Sequence, residues 1–463
     1  MPDKETLEEL LEKARKAQKV VEYWTQDQVD EMVTAAGWEV YKEENAAACA
    51  KLAAEETRMG VYENKLLKHR KKTLGTLRDL QEVKTVGVIE ENKEKGIIKI
   101  AKPVGIIGAL TPTTNPTSTP PGNGLPALKT RNAIIFAPHP RAKKCTNMAC
   151  DFMRAGLEKV GAPVDLVQCI KEPSPDLAQA LLREVDLVVA TGGGPMVKVA
   201  YSSGTPAYGV GAGNAPMVVD ETADIEDAAK KIFLGKTFDN ATSCSSENSA
   251  IIQEAVWDKA LEGLSSHGGY LCNSEEKKKL RELMWPDGKH LNKEIVAQPV
   301  SKIAQMAGLS IPDGSTFLMV LGEDVGPEDM FSSEKLSPVL TLYTYGKFEE
   351  AINYVEKITR FCGYGHSCGI HTTRDDRILK LAEAVHVSRI MVRQPQSYGN
   401  SGNYDNGMPF SMTLGCGTWG GNSTCENVTW RHFLNTTWVA MPIEPVVPDE
   451  NTIFSGHWTK YGK

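Results

Sequence analysis

The chain has 463 residues, and 52 Lys plus Arg stand against 59 Asp plus Glu, a formal charge of −7. Hydrophobic residues make up 41% and charged residues 24%, which excludes a disordered chain and describes a soluble globular one large enough for two to four domains. No apolar run reaches the roughly 18 residues of a membrane span, and the acidic balance argues against nucleic acid as the main partner. Residues 4–58 read as two amphipathic helices, with Leu7, Leu10, Leu11 and Ala14 and then Val29, Met32 and Val33 at helical spacing. The first 19 residues are charged and carry no apolar signal core, so a cytoplasmic protein is expected. Lys65 to Lys84 continues helical and polar.

From Thr85 the texture changes. Val86, Val88 and Ile89, then Ile97, Ile98 and Ile100, predict a hairpin over about 85–103. An α/β alternation follows. Val104 to Leu110, Ala133 to Ala137, Asp165 to Ile170 and Val185 to Ala190 read as strands, with helices over Pro120 to Thr130, Cys145 to Val160 and Asp176 to Arg183 between them. Such crossovers make a parallel sheet whose ligands lie beyond the strand carboxyl ends. Residues 241–433 repeat the alternation, with strands at Ser249 to Ile252, Phe317 to Leu321 and Pro338 to Tyr343. The tail from Pro445 reads as an extended arm. Expected boundaries are 1–240 for the N-terminal helices and a nucleotide-binding domain, 241–433 for a second α/β domain, and 434–463 for the arm.

Four loops hold residue types suited to chemistry. Thr191-Gly-Gly-Gly-Pro195 ends a strand and opens a helix; its backbone N–H groups can cradle a phosphate, or it is a plain tight turn. Cys244 lies among small polar residues from Phe238 to Ser249, an accessible setting for a nucleophile, though most lone cysteines are buried hydrophobes. Asn115, in Thr111-Pro-Thr-Thr-Asn-Pro116, is an amide that can donate to an oxyanion, or one member of a rigid Pro-rich loop. His366 is flanked by glycines in Gly363-Tyr-Gly-His-Ser367. Ten scattered cysteines show no metal-ligand spacing, and no metal site is expected.

These loops, Leu128 to Lys143, Gly209-Val-Gly-Ala-Gly-Asn214 and Leu414-Gly-Cys-Gly-Thr-Trp-Gly-Gly-Asn422 occur in one order, and together they resemble the CoA-acylating branch of the aldehyde dehydrogenase superfamily over nearly the whole chain. The resemblance implies an α/β fold with a Rossmann-type cofactor domain, an α/β catalytic domain and an oligomerisation hairpin and arm. It also implies NAD(P)-dependent oxidation of an aldehyde to an acyl-CoA. Cys244 would be the nucleophile and Asn115, with the Cys244 N–H, the oxyanion hole. Thr113, His139, Arg141, Lys143, Thr191, Gly192, Gly193, Gly211 and Glu334 would hold the dinucleotide, Glu334 through the nicotinamide ribose. Val210 stands where hydrolytic members carry a general-base Glu, so a thioester would survive for the CoA thiol. Pro138-His-Pro-Arg-Ala-Lys143 offers no carboxylate for a free ribose 2′-hydroxyl, and Arg141 or Lys143 suits a 2′-phosphate, so NADP is favoured over NAD.

Thr57 to Tyr62, Ala207 to Gly211 and Asp405 to Pro409 look like the subgroup acting on succinate semialdehyde or sulfoacetaldehyde. The ending from Trp430 to Asn435, with Trp458 and Tyr461, looks most like members acting on sulfoacetaldehyde; succinate semialdehyde and acetaldehyde are the alternatives. For a small anionic aldehyde, Arg393 in Met391-Val-Arg-Gln-Pro395 is the expected anion ligand, with Asn406 and His366 as further substrate contacts. The resemblance implies a homodimer or homotetramer joined through the hairpin and the segment near Trp438.

Overall fold

The structure is a computed structural model and describes residues 6–463. Three helices, not two, occupy the N-terminal stretch: Leu7–Val21, Gln26–Tyr41 and Glu43–Thr57. The extra break falls at Lys42, whose backbone is extended (φ −55°, ψ 149°) and ends one helix where the next begins. The expectation over residues 4 and 5 lies outside the described residues. A fourth helix, Tyr62–Leu80, turns a polar face inward, burying Lys65, Lys68, His69 and Lys72.

The predicted hairpin forms as Gly87–Asn92 and Ile97–Pro103, and Leu434–Ala440 adds to it as a third antiparallel strand. The α/β alternation forms a five-stranded parallel sheet in the order Val167–Cys169, Ala133–Pro138, Ile106–Thr111, Leu187–Thr191, Ala207–Val210. Its inner strands are buried on both faces, as near-continuous apolar runs require. A seven-stranded parallel sheet follows, in the order Gly269–Leu271, Phe317–Leu321, Val339–Tyr345, Glu247–Gln253, Ala215–Val219, Cys368–His371, Ile390–Val392.

The partition between the sheets corrects the expected boundary. Ala215–Val219 and the helix Ile225–Thr237 precede residue 241, yet that strand pairs with Glu247–Gln253 and Cys368–His371, so the second sheet begins at 215. The cause is the short connection: Val210 closes one sheet, and the chain enters the other at Ala215. The tail also departs from expectation. Glu450–Tyr461 is a helix, capped by Asp449, which accepts from the N–H groups of Asn451 and Thr452. None of its residues is buried. Among the described residues, no helix is long and apolar enough to cross a membrane.

Candidate active site

The two sheets meet the same cavity with opposite ends. From the carboxyl ends of the five-stranded sheet come the loop 112–115, Thr191 and Gly192, and Val210 and Gly211. From the amino ends of the seven-stranded sheet comes the loop carrying Ser243 and Cys244, just ahead of Glu247–Gln253. Helix Tyr62–Leu80 adds Lys68, Lys71 and Lys72, and the segment after Ile390–Val392 adds Ser397, Tyr398 and Ser401. No aspartate or glutamate lines this cavity among the described residues.

Cys244 is partly buried in a loop that begins under strain. Asp239, Asn240 and Ala241 all take left-handed φ (51°, 52° and 59°), a conformation that costs about 1–3 kcal/mol at a non-glycine residue. Buried contacts hold it. The Asp239 carboxylate accepts from Lys68 Nζ at 2.6 Å, Lys65 Nζ at 3.3 Å and the Val61 N–H at 2.9 Å. Burial alone would raise this carboxyl, but the two lysines hold it below the ordinary value. Asn240 Nδ2 donates to the Ala297 carbonyl at 3.2 Å. Behind the thiol, a Cβ on Gly213 would lie 1.9 Å from the Cys244 carbonyl oxygen, so only glycine fits.

His366 Nε2 lies 3.2 Å from Cys244 Sγ, and its Nδ1 lies 2.9 Å from Ser367 Oγ. The two residues meet because His366 also precedes a strand of the same parallel sheet, Cys368–His371. Burial, reinforced by Arg389, pushes the imidazole down to about 3, so it is neutral. Burial and then Glu334 push the thiol up to about 12. The resting pair is therefore a protonated thiol beside a neutral imidazole. His366, expected as a substrate contact, belongs to the nucleophile and does not line the cavity wall.

Asn115 lies across the cavity. Its Oδ1 accepts from Lys68 Nζ at 3.0 Å, and Lys68 also donates to Thr242 Oγ1 at 3.0 Å. With its oxygen held this way, the amide keeps Nδ2 for an acceptor in the cavity; its one other contact is Thr114 Oγ1 at 3.4 Å. Val210 is buried in the same wall beside Leu414.

Of the residues expected to hold a dinucleotide, all but Glu334 lie at the carboxyl ends of the five-stranded sheet, and Glu334 precedes Val339–Tyr345 of the other sheet. Thr113 is in the loop after Ile106–Thr111, and Gly192 and Gly193 follow Thr191 ahead of the helix Gly194–Tyr201. A Cβ on Gly194, at the N-terminus of its helix, or on Gly211, just past the strand Ala207–Val210, would meet nothing within 4 Å, which leaves bare backbone facing open space, a fit to a pyrophosphate at the helix end. A second cavity, sharing Gly211 with the first, runs past Gly194, Lys198, Arg360 and Trp419. Glu334 Oε1 accepts from the Gly213 N–H at 3.1 Å, and burial raises its carboxyl to about 8. His139 Nδ1 accepts from the Arg141 N–H at 3.1 Å. Lys143 Nζ is paired with Glu172 at 2.5 Å. A carboxylate therefore does stand near the Pro138–Lys143 segment, supplied from a neighbouring loop, and Arg141 is the exposed cation there.

Arg393 and Asn406 do not line the cavity. The strand register sets Met391 level with Gly369, Met217 and Ala250. Arg393 thus follows the carboxyl end of its strand, whereas Cys244 precedes the amino end of Glu247–Gln253. It is exposed and donates to the Thr372 carbonyl at 3.2 Å. Asn406 is spent on its own loop: Nδ2 donates to Gln394 Oε1 at 2.8 Å and the Gly399 carbonyl at 3.2 Å, and Oδ1 accepts from the N–H groups of Asn403 and Met408. The sequence reading missed Lys68, Lys71, Lys72, Asp239 and Ser397. The lysine spacing at 65, 68 and 72 was the available signal, since it places them on one helix face.

The sequence pattern of the aldehyde dehydrogenase family matches residues 2–272. The chain is 50% identical over 462 residues to a sulfoacetaldehyde dehydrogenase (acylating) of Bilophila wadsworthia, covering 99% of this chain and 100% of that one. It is 50% identical over 451 residues to a sulfoacetaldehyde dehydrogenase of an Acholeplasma species, covering 96% and 93%. An acetylating aldehyde dehydrogenase from Geobacillus thermoglucosidasius has a crystal structure that superposes with a TM-score of 0.92 at 38% identity, over 96% of this chain and 97% of that one.

Proposed function

The chain belongs to the aldehyde dehydrogenase family, and on that premise we propose that it oxidises sulfoacetaldehyde to sulfoacetyl-CoA with NAD(P) and coenzyme A. One observation carries the reading: Cys244 and Asn115 share a cavity whose wall holds three lysines and no carboxylate. Lys68 is paired with Asp239 and burial drives Lys72 well below the ordinary lysine value, so Lys71 is the lysine left to suit an aldehyde with an anionic end. Among the described residues the wall also leaves no carboxylate to activate water, and buried Val210 stands in it where hydrolytic members are expected to carry a general-base Glu.

The steps follow from the contacts. Sγ attacks the aldehyde carbon and a C–S bond forms as the thiol proton leaves by way of its hydrogen-bond partner, His366 Nε2. Burial keeps that imidazole too weak a base to hold the proton, which it relays to solvent. The carbonyl oxygen gains charge and meets Asn115 Nδ2 and the Cys244 N–H. A bound nicotinamide cofactor supplies the acceptor for the hydride that leaves this carbon. The resulting thioester on Cys244 is cleaved by the CoA thiol: the new C–S bond forms, the Cys244 C–S bond breaks, and the CoA thiol's proton is relayed through His366 to the protein thiolate, so that one proton is released per turnover, in the first half-reaction. The Thr191–Gly194 turn, Gly211, Thr113 and Glu334 would hold the cofactor, and Arg141 would meet a 2′-phosphate, which favours NADP. A titration showing much tighter NADH than NADPH binding would overturn that preference.

Self-association rests on separate observations. Leu434–Ala440 is an edge strand with an exposed Trp438, and Met441, Ile443, Val446, Val447, Ile453 and Phe454 beyond it are exposed as well. This edge is the proposed homo-oligomer contact, and light scattering of the purified protein reads it directly.

The catalytic test is a steady-state panel of acetaldehyde, succinate semialdehyde and sulfoacetaldehyde, each with and without CoA and with either cofactor. Sulfoacetaldehyde should give the highest kcat/KM, and no product should form without CoA. Cys244→Ala should lose about 10⁴-fold or more. Equal turnover without CoA would reject acyl transfer to a thiol.

A further inference from the structure

The cavity wall holds one cation that the reaction steps leave unused. Lys68, Lys71 and Lys72 all reach it from helix Tyr62–Leu80. Lys68 is committed to Asp239, Asn115 and Thr242. Lys72 is buried and donates to the Ser401 and Gly402 carbonyls at 3.0 and 2.7 Å. Lys71 is different. Its Nζ lies over the rings of Tyr398 and Tyr404, 5.1 and 5.8 Å from their centroids, and no carboxylate lies within ion-pair distance of it among the described residues. The counter-charge of Asp405 acts from beyond ion-pair distance and only partly offsets burial, which leaves a half-buried ammonium costly.

A second observation points to the same place. Ser397 lines the cavity at 5% exposure, and its hydroxyl has no hydrogen-bond partner. Four other buried hydroxyls, of Thr111, Ser249, Ser337 and Ser388, also lack a partner among the described residues, and Ser397 is the one of the five that lines this cavity. Lys71 and Ser397 thus line the same cavity, with Tyr398, next to Ser397 in sequence, carrying the ring under the ammonium.

We propose that Lys71 and Ser397 form the subsite for the anionic end of the substrate, with the ammonium and the hydroxyl each donating to a sulfonate oxygen. This rests on the reading of the cavity as an aldehyde site, and it replaces Arg393 as the determinant of charge selectivity. A compact ammonium suits a three-oxygen anion approached from one side, without the planar fork a carboxylate favours. Burial lowers Lys71 from the ordinary lysine value, partly offset by Asp405, and a bound anion would draw it back to the charged form.

The test reads the ratio of kcat/KM for sulfoacetaldehyde to that for acetaldehyde. Lys71→Met should lower the ratio about 10- to 100-fold, mostly through KM, the range of a hydrogen bond to a charged group. Lys71→Arg should keep most of the ratio, and Ser397→Ala should lower it about 3- to 10-fold. An unchanged ratio in Lys71→Met would overturn the subsite, as would a wild-type ratio near one. A binding readout stands apart from turnover: ethanesulfonate should slow alkylation of Cys244 in the wild type and not in Lys71→Met. If no aldehyde gave CoA-dependent product while ethanesulfonate still protected through Lys71, the catalytic reading would fail and the anion subsite would stand. Equal protection of both proteins would remove the subsite and leave the catalytic reading intact.

Discussion

The five-stranded sheet brings the carboxyl ends of its strands to the cavity, and the seven-stranded sheet brings the amino ends of its own. The electrostatics differ accordingly. Beyond strand carboxyl ends in a βα fold the next helix begins, and its free N–H groups favour anions; the Thr191–Gly194 turn is of this kind. Loops at strand amino ends arrive from helix C-termini. Ile225–Thr237 runs into the Cys244 loop, and Phe348–Phe361 runs into the His366 turn. Glu334 adds a further acid on that side and, after burial, is the next cause of the raised thiol. One edge thus favours anions, and the other keeps the Cys244 thiol protonated beside a neutral imidazole. Lys68 joins them, contacting Asn115 on the first edge and Asp239 and Thr242 on the second.

The harshest way to break that junction is at Asp239. Removing its charge leaves Lys65 and Lys68 buried without a counter-ion, a change that costs about 3–5 kcal/mol when one member of a buried pair is lost. It also releases the strained 239–241 segment. Asp239→Asn should lower both the thermal midpoint and kcat. Lys68→Met sharpens the result: with Asn115 Oδ1 unpartnered, the amide loses its orientation, and kcat should fall about 10²-fold, the scale of one lost oxyanion donor. Unchanged kcat in Lys68→Met would mean that Asn115 is held by its loop alone.

How much of this could be read from sequence depends on whether the signal is local. The glycine turn at 192–194 and the small-residue run around Cys244 have backbone requirements written in the residues themselves, and the structure brings Thr191, Gly192, Asn115 and Cys244 into one cavity. The lysines of helix Tyr62–Leu80 could not be read that way. A polar helix face is solvated or buried according to what packs on it, and here the partner, Asp239, is more than 170 residues away. The boundary near 215 was missed for a related reason. An apolar run announces a strand, but which sheet it joins is a pairing between distant segments. The tail helix was legible in principle through Asp449, a good N-cap, but the flanking prolines suggested an extended arm.

The electrostatic contrast between the edges has its own test in pH. With the thiol near 12, the thiolate fraction, and with it the alkylation rate of Cys244, should rise tenfold per pH unit through neutrality. Glu334 ionises near 8. Above that pH its new negative charge disfavours the thiolate, so the slope should become shallower. Glu334→Gln should restore a straight line, and a bend that persisted in that variant would assign it to another group.

The smallest effect belongs to Arg393, and it is the cleanest probe of which edge matters. Sequence favoured it because an arginine ending an apolar strand looks like an anion ligand, and in the five-stranded sheet that end does face the cavity. The rule inverts in the other sheet. Arg393 follows Ile390–Val392 at the end away from Cys244, exposed, with φ at 54° and a bond to the Thr372 carbonyl at 3.2 Å. Arg393→Ala should therefore leave the ratio of sulfoacetaldehyde to acetaldehyde turnover within about twofold of wild type, the scatter of a surface substitution. A drop comparable to that of Lys71→Met would mean that the substrate's charge is felt at the carboxyl ends of both sheets, and the opposition of the two edges would have to be abandoned.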